Sequence, residues 1–484
     1  MLSPRSAQSR ALRGLALLLV STGESACGAD TKTPSTLPTA CDAAACTSGS
    51  MAPDSAVATP TVDRATFLSL SPAADALPFP PPDASNRFAD SAAAIEFGRK
   101  LFDEPGFAGP LLDGDNDGSS SALGNKGETG KVACAGCHVA SSGFSDNRSF
   151  QKQISLGAGW GRRRAPSLLD VGQARLLMWD GSKDALYNQV FGPIESVVEM
   201  NSSRLFVAEQ VFALYKAEYE SIFGALPPLD NAKRFPALRA KDTGCRPMKV
   251  DPDPVCDGPF HGIPGDHAEY DGLTAEDQDR VTEVVVNIGK ALGAFERTLG
   301  CGVGRFDAWV HGDDAAMSPD EQRGAALFVG RAQCVSCHSG PFMSDQKFHN
   351  AGLQPELVQA SFIDVGDRGA ANGLQVAIDS PLNTRGRWSD SGGHDERLPQ
   401  SVEPGMEGAF RTPTLRCVSQ RPAFMHTGQL TRLEDVVAFF NRGGDTVGFS
   451  GVSELRPLGL SSAEQADIVA FLRALDGVSV AGTR

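Results

Sequence analysis

The chain has 484 residues and a net charge of −15, with 44 Lys and Arg against 59 Asp and Glu. That acidity argues against a nucleic-acid partner, and it suits either simple solubility or a basic protein partner. Hydrophobic residues at 41% and charged residues at 21% are ordinary for a soluble globular protein, and the length suggests about two to three domains.

In chain order, Arg5, Arg10 and Arg13 precede a short apolar run from Leu15 to Val20. Residues 1–26 therefore read as an export signal, too short to span a bilayer. Ser25-Ala26-Cys27 is similar to the end of a lipoprotein cleavage box, although Glu24 stands where that box has an aliphatic residue. Cys27 is thus a candidate lipid anchor. Residues 27–84 are expected to be a flexible Ala/Thr/Ser/Pro linker, stiffened by Pro78, Pro80, Pro81 and Pro82. A mainly α fold follows, with long loops. It is expected to divide into an N-terminal domain over residues 85–300 and a C-terminal domain over 301–484.

Two pentapeptides carry the chemistry: Cys134-Ala135-Gly136-Cys137-His138 and Cys334-Val335-Ser336-Cys337-His338. Cys-x-x-Cys-His is the attachment pattern of a c-type haem, with two thioethers and an axial imidazole. A zinc half-site or a redox dithiol needs no His directly after the second Cys. Two covalent haems c are expected, with His138 and His338 as iron ligands. Export fits this, because such haems are attached outside the cytoplasm, and a periplasmic location is expected.

Around the two motifs the sequence repeats itself in order. Gly98-Arg99-Lys100-Leu101-Phe102 is echoed by Gly324-Ala325-Ala326-Leu327-Phe328. Phe144-Ser145-Asp146 is echoed by Phe342-Met343-Ser344-Asp345, and Arg164-Ala165-Pro166-Ser167-Leu168 by Arg411-Thr412-Pro413-Thr414-Leu415. Met178-Trp179-Asp180-Gly181 is echoed by Met425-His426-Thr427-Gly428. Two tandem cytochrome c-like haem domains are expected. Residues 226–275, dense in Pro, Asp and Gly, read as a loop insertion. Val281, Val284, Val285, Ile288, Leu292, Phe295 and Leu299 predict a helix opening at Thr274. Ser461 and Glu464 form a capping box for a last helix, which Gly477 is expected to stop.

Eleven Cys are present. Beyond the haem motifs and Cys27, six remain. Cys41–Cys46 and Cys245–Cys256 are plausible local disulfides, leaving Cys301–Cys417, one of fifteen connectivities that six cysteines allow.

Arg163-Arg164-Ala165-Pro166-Ser167-Leu168, Trp179-Asp180-Gly181, Gln189, Gly192-Pro193-Ile194-Glu195 and Glu199-Met200 resemble the N-terminal domain of bacterial di-haem cytochrome c peroxidases and MauG-like proteins. Phe410 to Arg416, His426-Thr427-Gly428 and Leu433 to Val437 resemble the C-terminal domain. The resemblance implies a peroxidatic haem in the first domain and an electron-transfer haem in the second. It implies Glu199 as distal acid–base, Gln189 as the amide orienting peroxide and Trp179 as the link between haems. A carboxylate in an apolar pocket is suited to shuttling a proton between peroxide oxygens.

Two departures stand out. Many members carry a blocking His after the first haem motif, but Gln151 to Gly157 has none, so the first haem is expected to be open without prior reduction. The sixth ligand of the second haem, Met in the peroxidases and Tyr in MauG, falls at Phe440, which cannot ligate iron. Met425 is the candidate substitute, Met406 another, and an open site the third choice. Calcium is a candidate ion. Asp113-Gly114-Asp115-Asn116-Asp117-Gly118 is similar to the front of a calcium loop, but Gly124 occupies the closing position. The family's inter-domain calcium uses an Asn where Arg164 stands here.

The expected function is periplasmic reduction of hydrogen peroxide with electrons from a small cytochrome c or cupredoxin. The alternatives are MauG-like oxidation of aromatic residues in a protein substrate, and a di-haem electron carrier without peroxide chemistry.

Overall fold

Residues 63–113, 123–148, 154–245, 260–355 and 366–480 are described by a computed structural model. The export signal, Cys27, the Cys41–Cys46 pair, Cys256, most of the Asp113–Gly118 turn and the first three residues of the Gln151–Gly157 stretch lie outside them.

Helices carry the fold: α1 (Ala92–Phe102), α2 (Cys134–Cys137), α3 (Leu186–Gln189), α4 (Phe191–Glu195), α5 (Arg204–Phe223), α6 (Ala275–Glu296), α7 (Arg305–Val310), α8 (Pro319–Val329), α9 (Ala370–Asp379), α10 (Leu433–Asn441) and α11 (Ser462–Ala474). Among the described residues strands are reduced to two antiparallel pairs. β1 (Gly300–Gly304) pairs with β4 (Gly477–Val480), and β2 (Phe348–His349) with β3 (Phe410–Arg411). No helix of the described residues is long and apolar enough to cross a membrane.

The long helix starts where its cap predicts. The Thr274 hydroxyl accepts from the Asp277 N–H, so a first-turn donor is satisfied. The capping box at α11 forms as expected, with Ser461 and Glu464 bonding each other's backbone N–H. That helix ends at Ala474, before Gly477. Gly477 instead opens β4, where a Cβ would sit 2.0 Å from the Gly302 carbonyl oxygen.

Two main cores form within one compact unit. In the first, α6 packs on α1, α3 and α5; in the second, α11 packs on α8 and α10. The echoed glycines explain this pairing. A Cβ on Gly98 of α1 would lie 2.0 Å from the Ala291 carbonyl oxygen of α6. A Cβ on Gly324 of α8 would lie 1.9 Å from that of Asp467 in α11. Each half thus brings a glycine helix into backbone contact with its partner.

The second core departs from the expected boundaries. The stretch 63–84 was expected to belong to a flexible linker, yet it is packed. Phe67 is buried against Phe306 and Trp309, and Leu70 is buried with it. Arg416 and Asp307, both fully buried, form a two-pronged ion pair at 2.6 and 3.0 Å, and Arg416 also donates to the Leu70 carbonyl at 2.7 Å. The physical reason is that Phe67 and Leu70 offer the apolar surface a Pro-rich composition conceals. Cys301–Cys417 is a disulfide, as expected, tying β1 to the segment between β3 and α10. Cys245 is also disulfide-bonded.

The helix crossing yields a test. Gly98→Ala must push the α1 and α6 backbones apart, and overpacking of this kind costs about 1–3 kcal/mol. The chemical-denaturation midpoint of the holoprotein is expected to fall accordingly; an unchanged midpoint would show that the crossing relaxes freely.

Candidate functional site

Each haem motif is a single tight turn. His138 N–H donates to the Cys134 carbonyl at 2.9 Å, and His338 N–H to that of Cys334 at 2.9 Å. Each imidazole is then aimed by its Nδ1. His138 Nδ1 lies 3.1 Å from the Phe144 carbonyl oxygen, and His338 Nδ1 lies 2.8 Å from that of Met343. Phe144 and Met343 hold φ of 52° and 51° to turn those carbonyls inward. A ring that donates through Nδ1 keeps its Nε2 lone pair for a metal. Burial holds both imidazoles below the usual histidine range, His338 at about 4, so both are neutral at pH 7.

Two large cavities open beside these turns. The first is walled by Cys134, Cys137 and His138, and the second by Cys337 and His338. They share one wall, built from the Arg164–Ser167 segment with Val171, Trp179 and Arg411. Trp179 is fixed there twice. Its indole N–H donates to the Arg164 carbonyl at 2.7 Å, and its own carbonyl accepts from Arg411 N–H at 2.8 Å. The mirror bond runs from Arg164 N–H to the His426 carbonyl at 2.8 Å. Beside the wall, Arg163 clamps Asp180 at 2.6 Å and Asp367 at 2.6 and 2.7 Å.

All three sequence-predicted active-site residues come together in the first cavity: Glu199, Gln189 and Trp179. Glu199 reaches open space through that cavity. The surrounding protein raises its carboxyl above the ordinary range, which the Ser196 hydroxyl and the Lys183 ammonium partly offset. A fourth residue was not foreseen. Glu296, the last residue of α6, lines the same cavity and accepts from Gln189 Nε2 at 3.1 Å. Its signal was present in the sequence. Glu296 falls in the apolar stripe of Val285, Ile288, Leu292 and Leu299, and a carboxyl on a buried helix face calls for a reason.

The cavity walls suit a dianionic porphyrin. Arg411 and Arg421 line the second cavity, Arg411 also the first, and neither has a carboxylate partner among the described residues. Burial pushes both guanidinium groups down to about 10. Buried cations without counter-ions imply an anion that completes the site. Burial also pushes the Cys134, Cys137 and Cys334 thiols up to about 12, so uncapped they stay un-ionised.

The family described as di-haem cytochrome c peroxidase matches residues 92–241. The chain is 29% identical over 72% of its length to a cytochrome-c peroxidase, IdrP1, of Denitromonas iodatirespirans, covering 76% of that protein. It is also 29% identical over 72% of its length to the methylamine utilization protein MauG of Methylorubrum extorquens, covering 73% of it. Over most of its length the chain is thus similar to di-haem cytochrome c peroxidases and to MauG. It is therefore a peroxidase-type oxidoreductase, and the family implies two haems. The fold agrees: the di-haem peroxidase BthA of Burkholderia thailandensis superposes with a TM-score of 0.55 at 20% identity, over 83% of this chain and 94% of that one.

Within this peroxidase fold the candidate ligands of the second iron separate. Phe440 and Met425 line the second cavity. Met406 does not; it packs instead against the small core of Leu176, Ala370 and Leu374. Met425 holds φ of 69°, as its counterpart Met178 holds 63°. Arg164 stays buried where the family's calcium uses an Asn, and no group of three His, Cys, Asp or Glu among the described residues is placed to hold a metal ion.

Covalent attachment is testable by counting. The double variant Cys134→Ala, Cys137→Ala is expected to retain one haem that resists acidic acetone, where the wild type retains two. A pyridine-haemochrome assay that still finds two would overturn the assignment of the first motif.

Proposed function

We propose that this chain is an exported, periplasmic peroxidase with two haem domains in tandem, covalently attached through Cys134, Cys137, Cys334 and Cys337. It reduces hydrogen peroxide to water with electrons from a small redox protein. The observation that carries this is the convergence of Glu199 and Gln189 in the cavity of His138, across one wall from the cavity of His338.

Haem bound in the first cavity supplies the iron that takes peroxide and holds its oxidising equivalents. The protein does the proton work. Glu199 accepts the proton of the iron-side oxygen and returns it to the leaving oxygen. Burial raises its carboxyl above the ordinary range, the direction that favours a proton shuttle. Gln189 orients the substrate without titrating. Trp179, fixed in the shared wall, passes electrons between the two cavities. His138 and His338, aimed by their Nδ1 bonds, would hold the irons through Nε2, and Arg411 and Arg421 would neutralise propionates.

The second reading, oxidation of aromatic residues in a protein substrate, is favoured by one feature: no His falls between Ile154 and Trp179. The first iron then needs no prior reduction to open. A pure electron carrier is disfavoured, because it has no use for a carboxyl and an amide facing an iron. Met425, which lines the second cavity, is the side chain that would serve as a further ligand of the second iron. Calcium, and a lipid anchor at Cys27, remain proposals of the sequence alone.

Glu199→Gln keeps size and hydrogen-bonding capacity but cannot titrate. Peroxide turnover is expected to fall about 10²–10⁴-fold, the usual weight of general acid–base catalysis, with both haem spectra retained. Turnover within a factor of two of wild type would remove Glu199 from the mechanism. For the second iron, Met425→Ala is expected to alter the low-spin EPR signal and shift that haem's potential. Wild-type spectra would eliminate Met425 as its ligand.

A further inference from the structure

Glu296 is only 4% exposed and makes no ion pair among the described residues. Its one side-chain bond among those residues is to Gln189, the amide proposed to orient peroxide. The bond has a direction: Gln189 Nε2–H donates to Glu296 Oε1, which is the arrangement an ionised carboxylate requires. A protonated Glu296 carries an O–H instead. That group finds its acceptor in the amide oxygen once Gln189 turns about its terminal torsion, a soft and roughly two-fold rotation.

We propose that Glu296 is a positioning residue whose proton decides which end of the Gln189 amide the peroxide pocket presents. With Glu296 ionised, Gln189 shows its carbonyl oxygen to a ligand of the first iron. With Glu296 protonated, it shows N–H. The inference rests on the peroxidase reading and adds a second carboxyl to it, one that touches the substrate only through Gln189.

The surroundings let Glu296 change state near neutrality. Burial pushes it up to about 8, and no charged neighbour offsets that. Across the cavity stand Glu199, with Lys183 beside it, and the wall arginines Arg163, Arg164 and Arg411. Of the elements packed on α6, α1 turns Glu96, Arg99 and Lys100 to solvent. α3 offers only Tyr187, whose hydroxyl bonds the Leu382 and Asn383 carbonyls. α5 reaches α6 through Tyr219 on Asn287 and Arg204 on Thr282, both well up the helix from Glu296. Asp170 meets the region through its backbone N–H on Leu299. Arg297, next in sequence, bonds Asp90 and the Pro81 carbonyl.

The sign follows directly. The acid form predominates below the Glu296 pKa, is uncharged and presents a donor. It therefore favours an anionic ligand, and that advantage is lost as pH rises through about 8. Fluoride is the probe, since it binds ferric haem as an anion and strengthens with a hydrogen-bond donor. The experiment is a fluoride titration of the resting diferric holoprotein from pH 5.5 to 9.5, followed by the haem charge-transfer band.

Wild-type affinity is expected to fall about ten-fold through a step near pH 8, the weight of roughly one hydrogen bond. Glu296→Gln, permanently neutral, is expected to lose that step. Gln189→Leu, which breaks the relay but leaves Glu296 ionisable, is expected to lose most of it. A Glu296→Gln profile that retains the step overturns the proposal and leaves the peroxidase reading standing. A Gln189→Leu profile that retains it shows Glu296 acting by charge alone and overturns the relay. Wild type that binds no fluoride at any pH overturns both the proposal and the open first iron beneath it.

Discussion

Two reciprocal backbone hydrogen bonds hold the centre of this protein together. Arg164 N–H reaches the His426 carbonyl and Arg411 N–H reaches the Trp179 carbonyl, each at 2.8 Å. Each half of the chain thereby grips the aromatic loop of the other, and the Trp179 indole is locked onto the Arg164 carbonyl in the same stroke. The wall between the two cavities follows from this clasp. Without it, Trp179 would have no fixed place in the wall between the two cavities. The Arg163 clamp on Asp180 and Asp367 braces the same loop from outside.

The clasp is symmetric because the sequence is. The same local devices appear in both halves: a glycine helix crossing at Gly98 and Gly324, a His Nδ1 on the carbonyl of a positive-φ residue, and a hydroxyl of Ser167 or Thr414 on a loop carbonyl at 2.6 Å. What differs is the chemistry presented. Carried across the repeat at the spacing of its Trp179/His426 echo, Gln189 corresponds to Val436 and Pro193 to Phe440. Val436 and Phe440 both line the second cavity. At the first of these positions one half has an amide where the other has an apolar side chain. Similar local devices thus frame two pockets whose linings differ.

Much of this was legible from residues alone, because tight turns and helix caps are local rules. Each Cys-x-x-Cys-His closes a turn that presents its imidazole, and Thr274, Ser461 and Glu464 cap where they stand. The four echoes also revealed the internal symmetry, since each sits at a point where backbone meets backbone. What the sequence hid was tertiary. Phe67 and Leu70 are an isolated apolar pair in a Pro-rich stretch, and only the core around Trp309 and Arg416 gives them a place. Glu296 was masked by its own helix, whose regular pattern draws the eye to Val and Leu. Its partner Gln189 lies more than a hundred residues upstream, so no local spacing connects them.

The central claim is that the first iron is open and the two haems act as one oxidisable unit. It is tested most directly by mixing the resting diferric protein with one equivalent of hydrogen peroxide in a stopped-flow spectrometer. The account predicts an immediate change in the haem spectrum, without prior reduction, that involves both haems in the wild type and one haem in Trp179→Phe. A diferric protein that leaves peroxide untouched until it is first reduced would contradict it.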